Sequence, residues 1–362
     1  MKAPMTPVLV PDMPTTKDLV GYLNRIDESK VYSNGGPLNS ELVARFAAYF
    51  KVDANCICLV SNATVGLIGS LICSDQTSKY VEAPSFTFTA TPASVLSAGL
   101  QLLMVDIDPE FRMVPTGENS CVVDVLPFGN RLRQKDWYEA FDFSLIDAAA
   151  SFDALEGFGE YFHVSKMYSI VVSLHATKLL GAGEGGVVIS NNPEFIRKVQ
   201  EWSNFGFSSQ DSVRESRFAG TNSKLSEYSC AIALASLDRW SEVRDGYLKN
   251  VSLVKRNLDN STFTSYETTL EGLATPYWIV RHESEKAVEN VQINARSQSI
   301  ETRKWWGLGC HKMPAYSHVP HTSLTETEKQ SGRYLGMPFH NFLTERDWPK
   351  IEELLIQVAH NE

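Results

Sequence analysis

The chain has 362 residues, 43% of them hydrophobic and 21% charged, a composition typical of a soluble globular protein with a sizeable core. Its formal net charge of −10 argues against a nucleic-acid-binding protein, because such proteins are usually basic. No apolar run approaches the roughly 20 residues that span a bilayer, and the start of the chain lacks the apolar core of a secretory signal. We therefore expect a cytoplasmic protein. The six cysteines have no metal-like spacing, so no metal site is expected.

The first 240 residues alternate between helical and strand-like patterns, which predicts an α/β fold with a mostly parallel sheet. The predicted helices of this part are Glu41–Phe50, Thr64–Cys73 and Pro193–Trp202. The predicted strands are Cys56–Val60, Tyr80–Ala83, Leu102–Val105, Cys121–Leu126, Ser144–Ile146, Ile170–Leu174 and Val187–Ser190.

The pattern changes after a long helical stretch from Lys224 to Asp259, in which a break is expected near Gly246. Beyond it, Thr275–Arg281 is predicted as a strand, and 284–297 and 345–360 as helices. This change predicts a large domain of residues 15–245. The smaller C-terminal α+β domain would comprise residues 246–362 together with residues 1–14.

The segment from Ser173 to Gly186 sets one lysine, Lys178, between two apolar strand patterns, with a glycine-rich loop directly after it. A lysine that is partly buried in such a place is suited to imine chemistry, because burial favours the neutral amine. For a single lysine, an ordinary position in a surface loop explains the pattern as well. The rest of the chain has to decide between the two interpretations.

Asp147 ends an apolar strand pattern and is followed by three alanines. Ligands of open α/β sheets collect at the carboxyl ends of strands, so Asp147 is a candidate partner for a protonated pyridine nitrogen. The alternative is a helix N-cap that serves the alanines.

Two other strand ends carry residues that suit a phosphate and an aromatic ring. The turn Ser61–Gly66 leads from a strand into a helix, where backbone amides and the Thr64 hydroxyl could bind phosphate, and Ser173 is a second donor. In the segment Pro84–Thr89, Phe86 or Phe88 could cover a cofactor ring. Capping, a buried strand serine and ordinary core packing explain each feature separately, so their order along the chain carries the argument.

These motifs resemble those of the DegT/DnrJ/EryC1/StrS family, the sugar-nucleotide aminotransferases of the aspartate aminotransferase superfamily. The resemblance extends over nearly the whole chain. Its specific matches are Ser173-x-His-x-x-Lys178, Gly183-Glu-Gly-Gly186, Asp147-Ala-Ala, Pro84-Ser-Phe-Thr-Phe88 and Gly220-Thr-Asn222-Ser-Lys-Leu-Ser-Glu227.

The resemblance implies an aspartate-aminotransferase-like fold (PLP fold type I) and pyridoxal 5′-phosphate (PLP, or its amine form PMP) as the cofactor. Lys178 would be the Schiff-base lysine, Asp147 the pyridinium partner and Phe88 the stacking ring. Asn222 would reach the phosphate of the neighbouring subunit, which implies a homodimer with shared active sites. The remaining cofactor contacts that it implies are Ala63, Thr64 and Ser173.

One position departs from the family pattern. Family members usually carry glutamine or histidine three residues after the aspartate, beside the cofactor's ring oxygen, whereas this chain has Ala150. The contact must be absent, water-filled or supplied by another group.

The same resemblance implies transamination from L-glutamate to a ketone on a nucleotide-linked sugar. His-x-x-Lys with Gly-Glu-Gly-Gly is typical of family members that act at sugar C4, so dTDP-4-keto-6-deoxy-D-glucose is the expected acceptor, for an amino sugar of O-antigen or a related glycan. Weaker candidates for substrate contacts are Asn34, His175, Lys224, His311 and Tyr316.

Three alternatives remain open. A related enzyme could act at C3, and a binding or sensory protein could use the same fold without catalysis. Gly181–Gly186 also satisfies GxGxxG, the fingerprint of a nicotinamide-dependent oxidoreductase, but a strand pattern follows it where that fingerprint requires a helix.

Overall fold

The computed structural model describes residues 5–208, 215–258, 261–266 and 272–357. Its first sheet contains the strands β1 Ile57–Val60, β2 Val81–Pro84, β3 Leu102–Val105, β4 Cys121–Val125, β5 Phe143–Asp147, β6 Met167–Ser173 and β7 Gly186–Ser190. The strand order is β1-β7-β6-β5-β4-β2-β3. β7 is antiparallel to both of its neighbours, and the other pairs are parallel. The predicted α/β fold with a mostly parallel sheet is confirmed.

Helices cover both faces of this sheet. They are α1 Thr16–Ser29, α2 Pro37–Phe50, α3 Ala63–Cys73, α4 Ala90–Ser97, α5 Lys135–Glu139, α6 Pro193–Ser203, α7 Glu227–Asp238 and α8 Trp240–Asn257. Alternate residues of each strand point to opposite faces: Ile57 belongs to the core beneath α2 and α7, and Cys58 to the core beneath α3 and α6. Because both faces are buried, the strands are mostly apolar, and the polar residues that they contain, such as Glu82 and Asp124, are buried as well.

A second, antiparallel sheet follows in the order β10-β9-β8. Its strands are β8 Thr264–Ser265, β9 Trp278–Arg281 and β10 Tyr334–Met337, and the helices of this part are α9 Glu285–Ser297, α10 Thr325–Gly332 and α11 Trp348–Gln357. Thr6 pairs with Ile300, so the N-terminal segment joins this part of the molecule. None of the helices in the described ranges is long and apolar enough to cross a membrane.

The described part of the long helix predicted for residues 224–259 contains two helices, α7 and α8, and Asp259 lies outside the described ranges. The prediction of a break near Gly246 is wrong. The Ser226 hydroxyl caps α7 by accepting the Ser229 amide, and the two helices meet at Arg239. Gly246 lies inside α8, where a Cβ would come within 2.7 Å of the Asn341 side chain. The glycine therefore permits close packing and does not end the helix. The predicted closing helix extends to residue 360, and its residues 358–360 lie outside the described ranges.

Near residue 310 the chain returns to the edge of the first sheet. The Cys310 amide donates to the Ser85 carbonyl at 2.7 Å, and Met104 of β3 pairs with His321. Residues 309–316, here called the return segment, thus lie against the loop that follows β2. This contact brings the second half of the chain to the carboxyl edge of the parallel strands.

A buried carboxylate, Glu227, ties α7 to the start of α2. It accepts hydrogen bonds from the amides of Leu38 and Asn39 at 2.8 and 2.9 Å, which satisfies donors that a helix N-terminus leaves free. The Glu227 amide donates to the Tyr32 carbonyl. These bonds bring the loop that contains Asn34 beside the segment that contains Lys224, and both residues line one cavity of about 300 Å³.

Candidate active site

Three of the predicted site residues follow strands whose carboxyl ends meet at one edge of the first sheet. Phe88 follows β2, Asp147 ends β5, and Lys178 follows β6. These strands are parallel to one another and lie close together in the order β6-β5-β4-β2. The chain order seen in the sequence is therefore a spatial cluster at the edge where open α/β sheets bind ligands.

Lys178 lies in the wide connection between β6 and β7. Backbone hydrogen bonds close this connection, from Ala176 to Gly183 and from Leu174 to Gly185, each 2.9 Å long. Gly183 has φ +79°, a conformation that favours glycine. The Lys178 amine is partly buried and donates a 2.8 Å hydrogen bond to the Tyr277 hydroxyl. The glycine-rich loop is thus a turn between antiparallel strands. Because a strand follows it where the dinucleotide-binding fingerprint requires a helix, Gly181–Gly186 is not such a fingerprint.

Asp147 is a buried carboxylate, only 6% exposed. One oxygen accepts the Thr91 hydroxyl at 2.8 Å and the other accepts the Ala149 amide at 3.2 Å. Burial raises the pKa of Asp147 above its ordinary value, and the hydrogen bonds and the charge of Lys178 offset this only in part. A carboxylate in this state would gain from a cation bound against it, and a protonated pyridine nitrogen is such a cation.

The start of α3 forms a cradle that is suited to an anion. The Asn62 side chain accepts the Val65 amide at 2.9 Å, while the amides of Ala63 and Thr64 have no partner within the helix. A Cβ on Gly186 would come within 2.8 Å of the Ala63 nitrogen, so only glycine allows β7 to pass this close. Gly186 pairs with Ser173, which brings the Ser173 hydroxyl to the same corner. Amides without a partner inside the helix, a helix N-terminus and a hydroxyl together suit a phosphate.

Phe88 is 59% exposed, whereas Phe86 is buried in an aromatic cluster with Phe111, Trp306 and Tyr334. The residues alone left both phenylalanines open and the family resemblance implied Phe88, whose exposure suits a ring that covers a ligand. Phe88 lies in the loop of residues 85–89, here called the Phe88 loop. In this loop the Thr87 hydroxyl forms a hydrogen bond with the Thr91 hydroxyl, which donates one to Asp147. The Phe88 loop and the carboxylate are therefore linked by side-chain hydrogen bonds.

His311 and Tyr316, two of the weaker candidates, belong to the return segment and bind the Phe88 loop. The His311 Nδ1 lies 2.6 Å from the Ser85 hydroxyl, and the Tyr316 hydroxyl lies 2.6 Å from that of Thr89. Burial lowers the pKa of His311, with Lys312 adding to the effect, so the ring stays neutral to lower pH than an exposed histidine. Both side chains are engaged with the loop itself.

Asn222, the expected phosphate contact, is exposed, and its side-chain oxygen accepts the Lys224 amine at 2.6 Å. The other weak candidates lie at two places. Lys224 and Asn34 line the cavity described above. His175 lies in the Lys178 turn, with Nδ1 2.8 Å from the Thr177 hydroxyl and Nε2 3.7 Å from the Glu184 carboxylate. Asn34 has φ +65°, so the sharp turn there constrains its backbone.

Two residues that contact the site were not predicted from the sequence. Thr91 holds Asp147 from inside α4, and Tyr277 holds Lys178 from just before β9. Neither has a local sequence signal, since both contacts join distant parts of the chain. Ala150 is buried and offers no hydrogen-bonding side chain. The described residues contain no group of three or more His, Cys, Asp or Glu side chains that could hold a metal ion.

The raised pKa of Asp147 predicts how the stability of the ligand-free protein changes with pH. Between the ordinary pKa and the raised one the folded protein keeps this carboxyl protonated while the unfolded chain ionises it, so the contribution of Asp147 to stability falls as pH rises through its raised pKa. Asp147→Asn removes the ionisable group and keeps groups that can bond Thr91 and Ala149. Thermal unfolding without cofactor, from about pH 2.5 to pH 8, should show the stability of the variant increasing relative to that of the wild type as pH rises.

Asp142→Asn is a control of opposite sign. Asp142 is exposed and its pKa is lowered by the Lys166 amine, so this variant should lose stability relative to the wild type as pH rises from below the ordinary aspartate range. Parallel curves for wild type and Asp147→Asn would contradict the assignment of a strained buried carboxylate.

Comparisons with known proteins agree with this arrangement. Residues 15–116 and 147–355 match the model of the DegT/DnrJ/EryC1/StrS aminotransferase family. The chain is 26% identical over 267 residues to dTDP-4-amino-4,6-dideoxy-D-glucose transaminase from Shigella dysenteriae, which covers 70% of this chain and 71% of that protein.

Solved structures resemble the whole fold. The structure of DesI in the presence of its TDP-sugar product has a TM-score of 0.83 and 26% identity, covering 99% of this chain and 94% of that one. A candidate PLP-dependent aminotransferase from Bacillus cereus has a TM-score of 0.84 and 27% identity, covering 97% and 99%. These findings confirm the resemblance seen in the sequence. The chain belongs to the DegT/DnrJ/EryC1/StrS aminotransferase family and is a PLP-dependent aminotransferase of the α/β architecture.

Proposed function

We propose that this aminotransferase moves the amino group of L-glutamate to the C4 ketone of a nucleotide-linked 4-keto-6-deoxyhexose. The favoured acceptor is dTDP-4-keto-6-deoxy-D-glucose, and the product would serve an O-antigen or a related glycan. The observation that carries the proposal is the amine of Lys178 beside the buried carboxylate of Asp147. The name of the Shigella relative and the TDP-sugar product of DesI support the sugar nucleotide and the position of the ketone.

The side chains at the edge of the sheet fit the cofactor that the family requires. Asp147 would face the ring nitrogen and hold its proton, and Phe88 would cover one face of the ring. The amides at the start of α3, with the hydroxyls of Thr64 and Ser173, would hold the phosphate. When bound, pyridoxal phosphate supplies the carbonyl that takes up the amino group and the ring that accepts electrons.

Lys178 has the proton-transfer role. Its amine would take the proton from the α-carbon of the donor in the first half of the reaction and would deliver a proton to the former carbonyl carbon of the acceptor in the second half. The turn between β6 and β7 suits this work, because its closing hydrogen bonds fix the backbone that carries Lys178. Asp147 acts on the same step from a distance, by keeping the ring nitrogen protonated.

The acceptor would lie beyond the Phe88 loop. Asn34 and Lys224 line one cavity. Lys224 directly follows Ser223, whose carbonyl accepts the Ser61 amide just before the phosphate cradle. A lysine there could bind an anionic nucleotide despite the net charge of −10. His311 and Tyr316 would influence the acceptor by fixing the Phe88 loop, and His175 would do so from the Lys178 turn.

A homodimer with shared active sites is part of the proposal. Asn222 is exposed, and the surface around it carries exposed aromatic rings: Phe205 is 45% exposed, Tyr32 47% and Tyr228 48%. Tyr32 and Tyr228 stack on each other with their centroids 6.2 Å apart. Apolar rings beside a phosphate cradle suit burial by a second copy, whose Asn222 would complete the site. We expect this dimer to act in the cytoplasm.

Purified enzyme given pyridoxal phosphate and glutamate should form 2-oxoglutarate when a keto-sugar nucleotide is added. In a panel of 3-keto and 4-keto sugars carrying dTDP or another nucleotide, the dTDP 4-keto-6-deoxyglucose substrate should give the highest kcat/KM. Lys178→Ala should lower turnover by roughly 10³-fold or more, because the proton transfer loses its carrier. The measurement is coupled detection of 2-oxoglutarate, with the amino sugar identified by mass spectrometry and NMR.

A higher kcat/KM for 3-keto substrates would favour the C3 alternative. Lack of turnover with every keto sugar, in a protein that binds the cofactor, would favour the non-catalytic alternative. Full activity of Lys178→Ala would overturn the role of this lysine.

Mixing inactive variants tests the shared active site. Lys178→Ala and Asn222→Ala damage different chains of one site, so their mixed dimers contain one undamaged site, and a 1:1 mixture should regain up to about a quarter of wild-type activity. Lys178→Ala mixed with Asp147→Asn is the matched control, because both residues belong to the same chain's part of the site. No gain in either mixture, although subunits exchange, would contradict sharing through Asn222.

A further inference from the structure

Tyr277 reaches the active-site lysine from the second sheet. It lies just before β9, and its hydroxyl accepts the hydrogen bond from the Lys178 amine at 2.8 Å. The amine lies 5.3 Å from the centre of the Tyr277 ring, so ring and hydroxyl both contact the charged group. Among the described residues, the Tyr277 hydroxyl is the group that forms a hydrogen bond with the Lys178 amine, and the Asp147 carboxylate interacts with this amine through its charge.

The Tyr277 ring is itself fixed on two sides. Phe128 meets it nearly edge-on with the centroids 5.9 Å apart, and Trp305 does so at 4.9 Å. The Thr275 hydroxyl accepts the Tyr277 amide and donates to the Phe128 carbonyl at 2.7 Å. These contacts fix the position of the Tyr277 hydroxyl. It is therefore a fixed hydrogen-bonding partner for the Lys178 side chain, which is long and flexible.

A tyrosine hydroxyl can accept a hydrogen bond from an ammonium group and can donate one to a neutral amine. It can thus hold lysine in both protonation states. This inference rests on the proposed function, in which Lys178 is released from the cofactor while the amino group is transferred and must stay within reach of the reacting carbon. An unheld lysine would lose this position to rotamer freedom.

We propose that Tyr277 is a positioning residue that holds the amine of Lys178 whenever this lysine is not bonded to the cofactor. Its contact also couples the second sheet to the catalytic centre. A purely structural role would be different: the ring would fill the space between Phe128 and Trp305, and phenylalanine would serve as well.

Tyr277→Phe tests this directly, because it keeps the ring and removes the hydroxyl. The readout is the absorbance change after pyridoxal phosphate is added to ligand-free protein at one fixed pH, which reports how fast the cofactor bonds to the lysine. Loss of the hydroxyl that positions the amine should slow this bonding about 10-fold. Turnover should fall about 10-fold, with KM for glutamate changed less than about 2-fold.

Tyr334→Phe is the matched control. Its hydroxyl accepts the Trp306 amide in the neighbouring aromatic cluster, so this variant makes the same chemical change at a similar site without touching Lys178. Its rate of cofactor bonding should equal that of the wild type. If Tyr277→Phe has the same bonding rate and the same turnover as the wild type, the positioning role is overturned. Failure of the wild type to bond the cofactor at Lys178 would instead overturn the proposed function.

Discussion

The buried carboxylate of Asp147 is the constraint that organises the site. It ends β5 between the parallel strands β4 and β6, where it has little access to water, and two neutral hydrogen bonds with the nearby Lys178 charge compensate it only partly. A folded protein keeps such a group at a cost in stability, and in the proposed function a bound cation offsets this cost. A protonated ring nitrogen would do so, and the same contact would keep the cofactor an electron acceptor.

The second half of the chain completes this site in two places. The return segment binds the Phe88 loop through Ser85 and Thr89, and Tyr277 binds Lys178. Both contacts join the second half of the chain to the carboxyl edge of the first sheet. The Phe88 loop and Lys178 are thus each held by a contact from the second half of the chain.

The sequence predicted the seven strands of the first sheet and the helices α2, α3 and α6 with small errors in their bounds, because buried strands and amphipathic helices have local patterns, but it did not predict α1, α4 and α5. It also predicted that Lys178, Asp147 and Phe88 follow strand ends, and parallel topology turned this into proximity. The roles of these residues toward cofactor and substrate stay predictions. Thr91 and Tyr277 had no local signal, because their contacts join residues 56 and 99 positions apart. Gly246 shows the reverse error: a glycine expected to break a helix serves tertiary packing.

The most direct test of this account is to locate the cofactor on the chain. Enzyme loaded with pyridoxal phosphate should lose its yellow colour on treatment with borohydride, and peptide mass spectrometry should then find the phosphopyridoxyl group on Lys178. Attachment to another lysine, or complete release of the cofactor on denaturation after borohydride treatment, would contradict it.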